Sequence, residues 1–257
     1  MDNKEFIITE ENVSKYADEI GMWIKEHIEN ANANGVVLGM SSGIDCSVVA
    51  GLCKNAGVNT HLVLLPYGTD MNNSKSYSDA MELINKFNFD YHMFDIKPAV
   101  DNIQAADDFV KDSNENNVKL AKANIRPRMR MIYLYQYAQI NNLLVIGTSN
   151  LSERTVGYST KWGDGASDFN PLGMITKREV YILAKYLGIP ECIVNKKPSA
   201  DLWEGQTDEE ELGIKYEQID EFILNGTSGD DQIDNLIKIK NERAMHKLNP
   251  IPIFNKQ

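Results

Sequence analysis

Four short apolar runs, separated by stretches long enough for helices, constrain this chain most. Gly35-Val-Val-Leu38, His61-Leu-Val-Leu-Leu65, Tyr91-His-Met-Phe94 and Leu143-Leu-Val-Ile146 read as buried strands. Helical stretches lie between them at about Asp45–Ala56, Asn72–Phe87 and Lys97–Val110. Strands alternating with helices indicate an α/β fold, a parallel sheet with helices on both faces. Such a sheet places its ligand site at the carboxyl ends of the strands. The loops after Leu38, Leu65, Phe94 and Ile146 are therefore where chemistry is expected.

Outside the strand region the signals are mostly helical. Tyr16, Ile20, Trp23, Ile24 and Ile28 recur at helical spacing, which predicts a packing helix over about 13–30. Pro127 can begin or kink a helix, and Met131, Leu134, Tyr135 and Ala138 continue one behind it. The tyrosines and methionines there fit a core helix or a dimer contact. Beyond Ile146 the chain turns glycine-rich, until Thr176–Leu187 reads as a helix closed by Gly188 and Pro190. The acidic segment at about 198–213 reads as a mobile flap. With no internal repeat or linker, residues 1–257 are expected to form a single domain with a helical C-terminal tail.

Composition excludes several functions. The 257 residues carry 26 Lys+Arg against 37 Asp+Glu, a net charge of −11, which disfavours nucleic acid and anionic membrane as partners. No run approaches the roughly 18–20 apolar residues of a membrane span, and the first residues lack the apolar stretch of a secretory signal. Cys46, Cys53 and Cys192 form neither a C-x-x-C pair nor a disulfide framework. These features predict a soluble cytoplasmic protein.

The first loop carries the sharpest signal. Gly39-Met40-Ser41-Ser42-Gly43-Ile44-Asp45-Cys46-Ser47 follows a strand and opens a helix. Backbone amides and hydroxyls at a helix N-terminus suit an anion such as phosphate. Neither a Walker loop nor G-x-G-x-x-G is present. Asp45 beside phosphate asks for a divalent cation. Read alone, the segment also fits an ordinary strand-to-helix turn with Asp45 as a cap.

Ser41-Ser-Gly-Ile-Asp-Cys46 resembles the S-G-G-x-D-S loop of the ATP pyrophosphatases, which cleave ATP between its α and β phosphates. Gly147-Thr-Ser-Asn-Leu-Ser-Glu153 and Gly157-Tyr-Ser-Thr-Lys-Trp-Gly-Asp-Gly-Ala-Ser-Asp168 are similar to segments of the ammonia-dependent NAD synthetases. Further matching stretches are Leu65-Pro-Tyr-Gly68, Asn124–Met131, Pro171-Leu-Gly173, Lys197–Leu202, Thr207–Gly213 and His246-Lys247. The likeness runs from about Val13 to the end and implies a Rossmann-like doubly wound sheet. Ser42 stands where the family usually has Gly, Cys46 where it has Ser, and Ser199 where Thr is common.

The resemblance implies the conversion of deamido-NAD, ATP and ammonia to NAD, AMP and pyrophosphate, the last step of NAD biosynthesis. AMP is first transferred to the nicotinate carboxylate and then displaced by ammonia. It assigns Gly39, Met40, Ser41, Ser42, Gly43, Ile44, Asp45, Cys46, Thr148, Lys177 and Ser199 to ATP. Asp45 and Glu153 are assigned to Mg²⁺, and Arg128, Lys161, Asp168, His246 and Lys247 to deamido-NAD. No residue is assigned as acid, base or nucleophile. Glutamine-dependent relatives carry a large extra amidase domain for which this length leaves no room, so free ammonia is the expected donor. A homodimer is implied too. His27, His61 and His92 sit among apolar neighbours and read as structural.

Overall fold

In a computed structural model, residues 7–68, 74–105, 114–198 and 207–255 are described. Four parallel strands form one sheet: β1 (Val36–Gly39), β2 (Thr60–Leu64), β3 (Tyr91–Met93) and β4 (Leu144–Val145), in the order β3-β2-β1-β4. All four predicted strands are present within a residue or two, but β3 is exposed along its length and not buried as expected. The order runs outward from β1 in both directions, so the chain reverses its winding between β1 and β4. That reversal opens a crevice beyond the carboxyl ends of those two strands. Pairing of Val36 with Thr60 and with Leu144 aligns the three strand ends, which places their following loops side by side.

Side-chain alternation along β1 divides the core into two layers. Val36 and Leu38 pack with α1 (Val13–Asn30), α2 (Ile44–Asn55) and α3 (Lys75–Phe87) on one face. Val37 turns to the opposite face, with Val63 and Val145, against α4 (Lys97–Gln104) and α6 (Ile125–Asn141). Between these last two in sequence lies α5 (Glu115–Ala123), a helix that buries none of its residues. Gly21 of α1 lies so close to α2 that an added Cβ would stand 2.8 Å from the Ala56 methyl. Of the apolar stripe expected on α1, Ile24 is fully buried, whereas Trp23 is partly exposed and lies across His27 and Phe169. His61 and His92 pack against Tyr137.

The region beyond Ile146 is less loop-rich than expected. It contains α7 (Leu151–Val156), α8 (Lys177–Tyr186), α9 (Glu191–Val194), α10 (Asp208–Leu212), α11 (Tyr216–Asn225) and α12 (Asp231–Leu248). Residues 207–213 of the expected flap are helical or cap a helix: Thr207 caps α10 through the Glu210 amide, and Gly213 ends it in the left-handed conformation. The remaining flap residues, 199–206, lie outside the described residues. A third apolar cluster joins Val156, Ile219 and Ile237, fixing α7, α11 and α12 together beside the crevice.

Candidate active site

The turn from β1 into α2 is built by short side chains. The Ser41 hydroxyl accepts the Gly43 amide at 3.3 Å and touches the Cys46 thiol at 3.3 Å. Cys46 donates to the Gly43 carbonyl at 3.2 Å and Ser47 to the same oxygen at 2.7 Å. Met40 and Ile44 are buried beneath the turn, while Gly39 closes the strand. Ser42 is fully buried at φ +60°, a left-handed conformation that favours glycine. The thiol at position 46 therefore fits the place of a hydroxyl, whereas the side chain at position 42 imposes strain.

Asp45 does not cap its helix. Gly43 is the N-cap and provides no side-chain bond. The Asp45 carboxylate instead leaves the helix to meet Lys177 at 2.6 Å and the Asn150 amide at 2.8 Å. Glu153 reaches the same ammonium at 3.4 Å. Three separate helix starts thus converge, because α2, α7 and α8 all begin at this edge of the sheet. Asn150 and Glu153 form a reciprocal capping box that fixes α7, and Thr176 with Glu179 form another that fixes α8. These boxes set the angle at which Glu153 and Lys177 enter the crevice.

Electrostatics inside this cluster are strong. Lys177 is 2% exposed, and its ammonium is held charged well above the usual lysine range by Asp45 and Glu153 in spite of burial. Burial, reinforced by the Asp45 charge, pushes the Glu153 carboxyl up to about 8 against the pull of Lys177. Two acids therefore compete for one cation, and a second positive charge placed between them would be stabilised. Among the described residues no set of three His, Cys, Asp or Glu side chains could hold a metal. A cation here would draw its other ligands from a substrate or water, the pattern expected of Mg²⁺.

A supporting layer surrounds the three charges. The Lys177 amide donates to Ser152 Oγ at 2.9 Å, and Ser152 donates in turn to buried Asp220, which also receives the Arg178 amide at 2.8 Å. The Tyr216 ring lies 4.8 Å from the ammonium, and its hydroxyl donates to Asp208 at 2.9 Å. Burial raises both the Asp208 and Asp220 carboxyls. Asn150 opens an N-x-x-E capping signature, a local signal that could have pointed to it. Ser152, Asp208, Tyr216 and Asp220 carried no local signal, because their partners come from other helices.

The residues matched to the dinucleotide gather across α7. Arg128 Nε donates to the Lys161 carbonyl at 3.3 Å, Lys161 lies 3.4 Å from His246, and Lys247 donates to the Gly157 and Ser159 carbonyls at 2.7 and 2.8 Å. Together with Ser149, Arg154 and Trp162, Lys161 and Lys247 line a small pocket. Arg154, absent from the sequence reading, adds a third cation there. Asp168 lies apart from this group: it receives the Val145 amide at 2.7 Å and the Tyr135 hydroxyl at 3.3 Å, at the end of β4. Thr148 belongs to the loop between β4 and α7. Ser199 lies outside the described residues.

A parallel α/β sheet with a helix-start loop, two acids and a buried lysine at its switch point defines a class, the nucleotide-type α/β proteins. Comparison with known proteins narrows it. The family model described as NAD synthase matches residues 16–249, and the chain belongs to that family. The NH(3)-dependent NAD(+) synthetase of Finegoldia magna is 41% identical over 230 residues, covering 88% of this chain and 92% of that one. The solved NMN synthetase of Francisella tularensis superposes with a TM-score of 0.86 at 37% identity, over 95% of this chain and 99% of that one. The NH3-dependent NAD synthetase of Campylobacter jejuni superposes with a TM-score of 0.75 at 32% identity, again over 95% and 99%.

Proposed function

We infer that this chain makes NAD from deamido-NAD, ATP and ammonia, releasing AMP and pyrophosphate. The observation that carries the inference is the convergence of Asp45, Glu153 and Lys177 beside the small-residue loop, in a chain that belongs to this family. The nicotinate carboxylate attacks the α-phosphorus of ATP, and the bond to the β-phosphate oxygen breaks. Ammonia then adds to the acyl carbon, AMP leaves and the amide sheds its surplus proton. Both reactants of the first step are anions, so positioning and charge neutralisation supply most of the acceleration.

Residue roles follow from placement. Asp45 and Glu153 would hold Mg²⁺, which neutralises triphosphate charge when bound. That assignment is supported by the two carboxyls facing one cation. Lys177 would face the departing pyrophosphate, and the loop Gly39–Cys46 with Thr148 would cradle the triphosphate. Arg128, Lys161, His246 and Lys247 would bind the acceptor, and Asp168 would orient it from the end of β4.

We place residues 1–257 in one functional unit that acts as a cytoplasmic homodimer. Exposed Ile132 and Ile140 on α6 and Leu120 on α5 support the dimer, and three unpaired cysteines fit a reducing compartment. A second reading, with nicotinate mononucleotide as the acceptor, is favoured by the higher TM-score to the solved NMN synthetase.

One assay separates the two acceptors. The purified chain is given ATP, MgCl₂ and either ammonium chloride or glutamine, with deamido-NAD and nicotinate mononucleotide in parallel. NAD formed with ammonia, at a higher kcat/KM for the dinucleotide, is expected. A reversed preference establishes the second reading, and no amide product from either acceptor defeats both.

A further inference from the structure

Ser42 sits in the left-handed region at φ +60° with its side chain fully buried, in the middle of the loop matched to ATP phosphates. A Cβ in that conformation crowds its own backbone, and a single serine pays for it unless neighbours hold it there. The neighbour that does so comes from more than a hundred residues away. Lys196, which follows α9, donates from its ammonium to Ser42 Oγ at 3.2 Å and to Ser76 Oγ at 2.9 Å. Its third direction faces Asp79, whose Oδ2 lies 3.9 Å away. Asp79 is 4% exposed, and that oxygen has no hydrogen-bond partner.

We propose that Lys196 is a positioning residue for ATP binding: it clamps Ser42 in the left-handed conformation and so sets the shape of the phosphate loop. The proposal rests on the reading of that loop as the ATP site. The buried Asp79 carboxylate keeps the ammonium in place, Ser76 provides a second tether from α3, and the charge-assisted bond to Ser42 transmits the restraint. Glycine at position 42 adopts the same backbone freely and would have no use for the clamp. Lys196 therefore matters in this chain because Ser42 does. Its site is built from the β1–α2 loop, α3 and the turn after α9, and shares no side chain with the Asp45–Glu153–Lys177 cluster.

The dependence of one residue on the other is the test. ATP binding is measured by calorimetry with ATP and MgCl₂ in the absence of acceptor, and KM and kcat by turnover, for K196M in the native and in the S42G background. In the native background K196M should weaken ATP binding by about 10-fold, as expected for a lost charge-assisted bond, with KM moving more than kcat. In the S42G background the same change should cost less than about 2-fold, since glycine lacks the restrained side chain. An equal penalty in both backgrounds overturns the proposal, because Lys196 would then act on phosphate or on the fold without Ser42. No penalty in either overturns it as well. If K196M folds poorly because Asp79 loses its counter-charge, the comparison is repeated with D79N present throughout, and the same two outcomes decide. Failure of the native chain to take up ATP at all would instead remove the ATP site itself.

Discussion

Replacing Lys177 with Met should unmask the electrostatic stress at the site. The ammonium is 2% exposed and bridges Asp45 at 2.6 Å and Glu153 at 3.4 Å. Methionine keeps most of the packing volume but leaves two carboxyls facing each other. Removing one partner of a buried pair costs roughly 3–5 kcal/mol. The lower end applies here, about 3 kcal/mol, because both acid side chains are 16% exposed and Glu153 can take a proton. The deficit should also depend on pH. The Glu153 carboxyl is already pushed up to about 8, above its unfolded value. Its contribution to stability is therefore complete below the ordinary carboxylate range and is lost as pH rises through that raised value. Without Lys177 to draw it down, the carboxyl stays protonated to higher pH, at growing cost. The gap between native and variant should widen from about pH 6 to about pH 9. Urea denaturation at those two pH values, in metal-free buffer, measures both quantities. A loss under about 1 kcal/mol, or a gap that narrows with rising pH, would refute the reasoning.

Other perturbations give separate readouts. D45N should abolish turnover and also lower the melting temperature, because it breaks the 2.6 Å contact to the buried Lys177 ammonium, and a near-native rate would remove Asp45 from the proposed metal site. G157A should fail twice over, since Gly157 has φ +67° and an added Cβ would stand 2.2 Å from the Ala244 Cβ on α12. A destabilisation of about 2 kcal/mol or more is expected, with a raised KM for the acceptor because α12 carries His246 and Lys247. A melting curve like the native one would show that α12 yields freely. Sedimentation velocity at micromolar concentration should give a dimer, weakened by I140D because Ile140 is 75% exposed on α6. A native monomer would exclude the α6 interface.

The sheet was legible because each strand is a short apolar run, buried or paired largely by its neighbours in sequence. Even β3, exposed along its length, was visible from Tyr91 to Phe94. The helices beyond Ile146 were harder to read. Glycines at 147, 157, 163, 165 and 173 suggested loops, yet Gly157 is the left-handed cap of α7 and so marks a helix end. Residues 207–213 looked like solvated flap because their acids dominate, whereas Thr207 capping and the burial of Asp208 and Leu212 make a short helix. The central charges were legible as motif letters. Their arrangement was not, because Lys177 meets Asp45 across 132 residues and the Ser152–Asp220 bond spans 68. No periodicity records a contact of that range. The strain at Ser42 was visible as a departure from glycine, but its partner Lys196 was invisible until α9 had been placed beside α3.

We propose that the nicotinate carboxylate cleaves ATP between its α and β phosphates in the crevice where Asp45, Glu153 and Lys177 meet. Deamido-NAD labelled with ¹⁸O in that carboxylate tests it directly. The chain is incubated with ATP, MgCl₂ and ammonium chloride, and the products are read by mass spectrometry. One labelled oxygen should appear in AMP for each NAD formed, with none in pyrophosphate. AMP that carries no label while NAD accumulates would contradict the adenylated carboxylate.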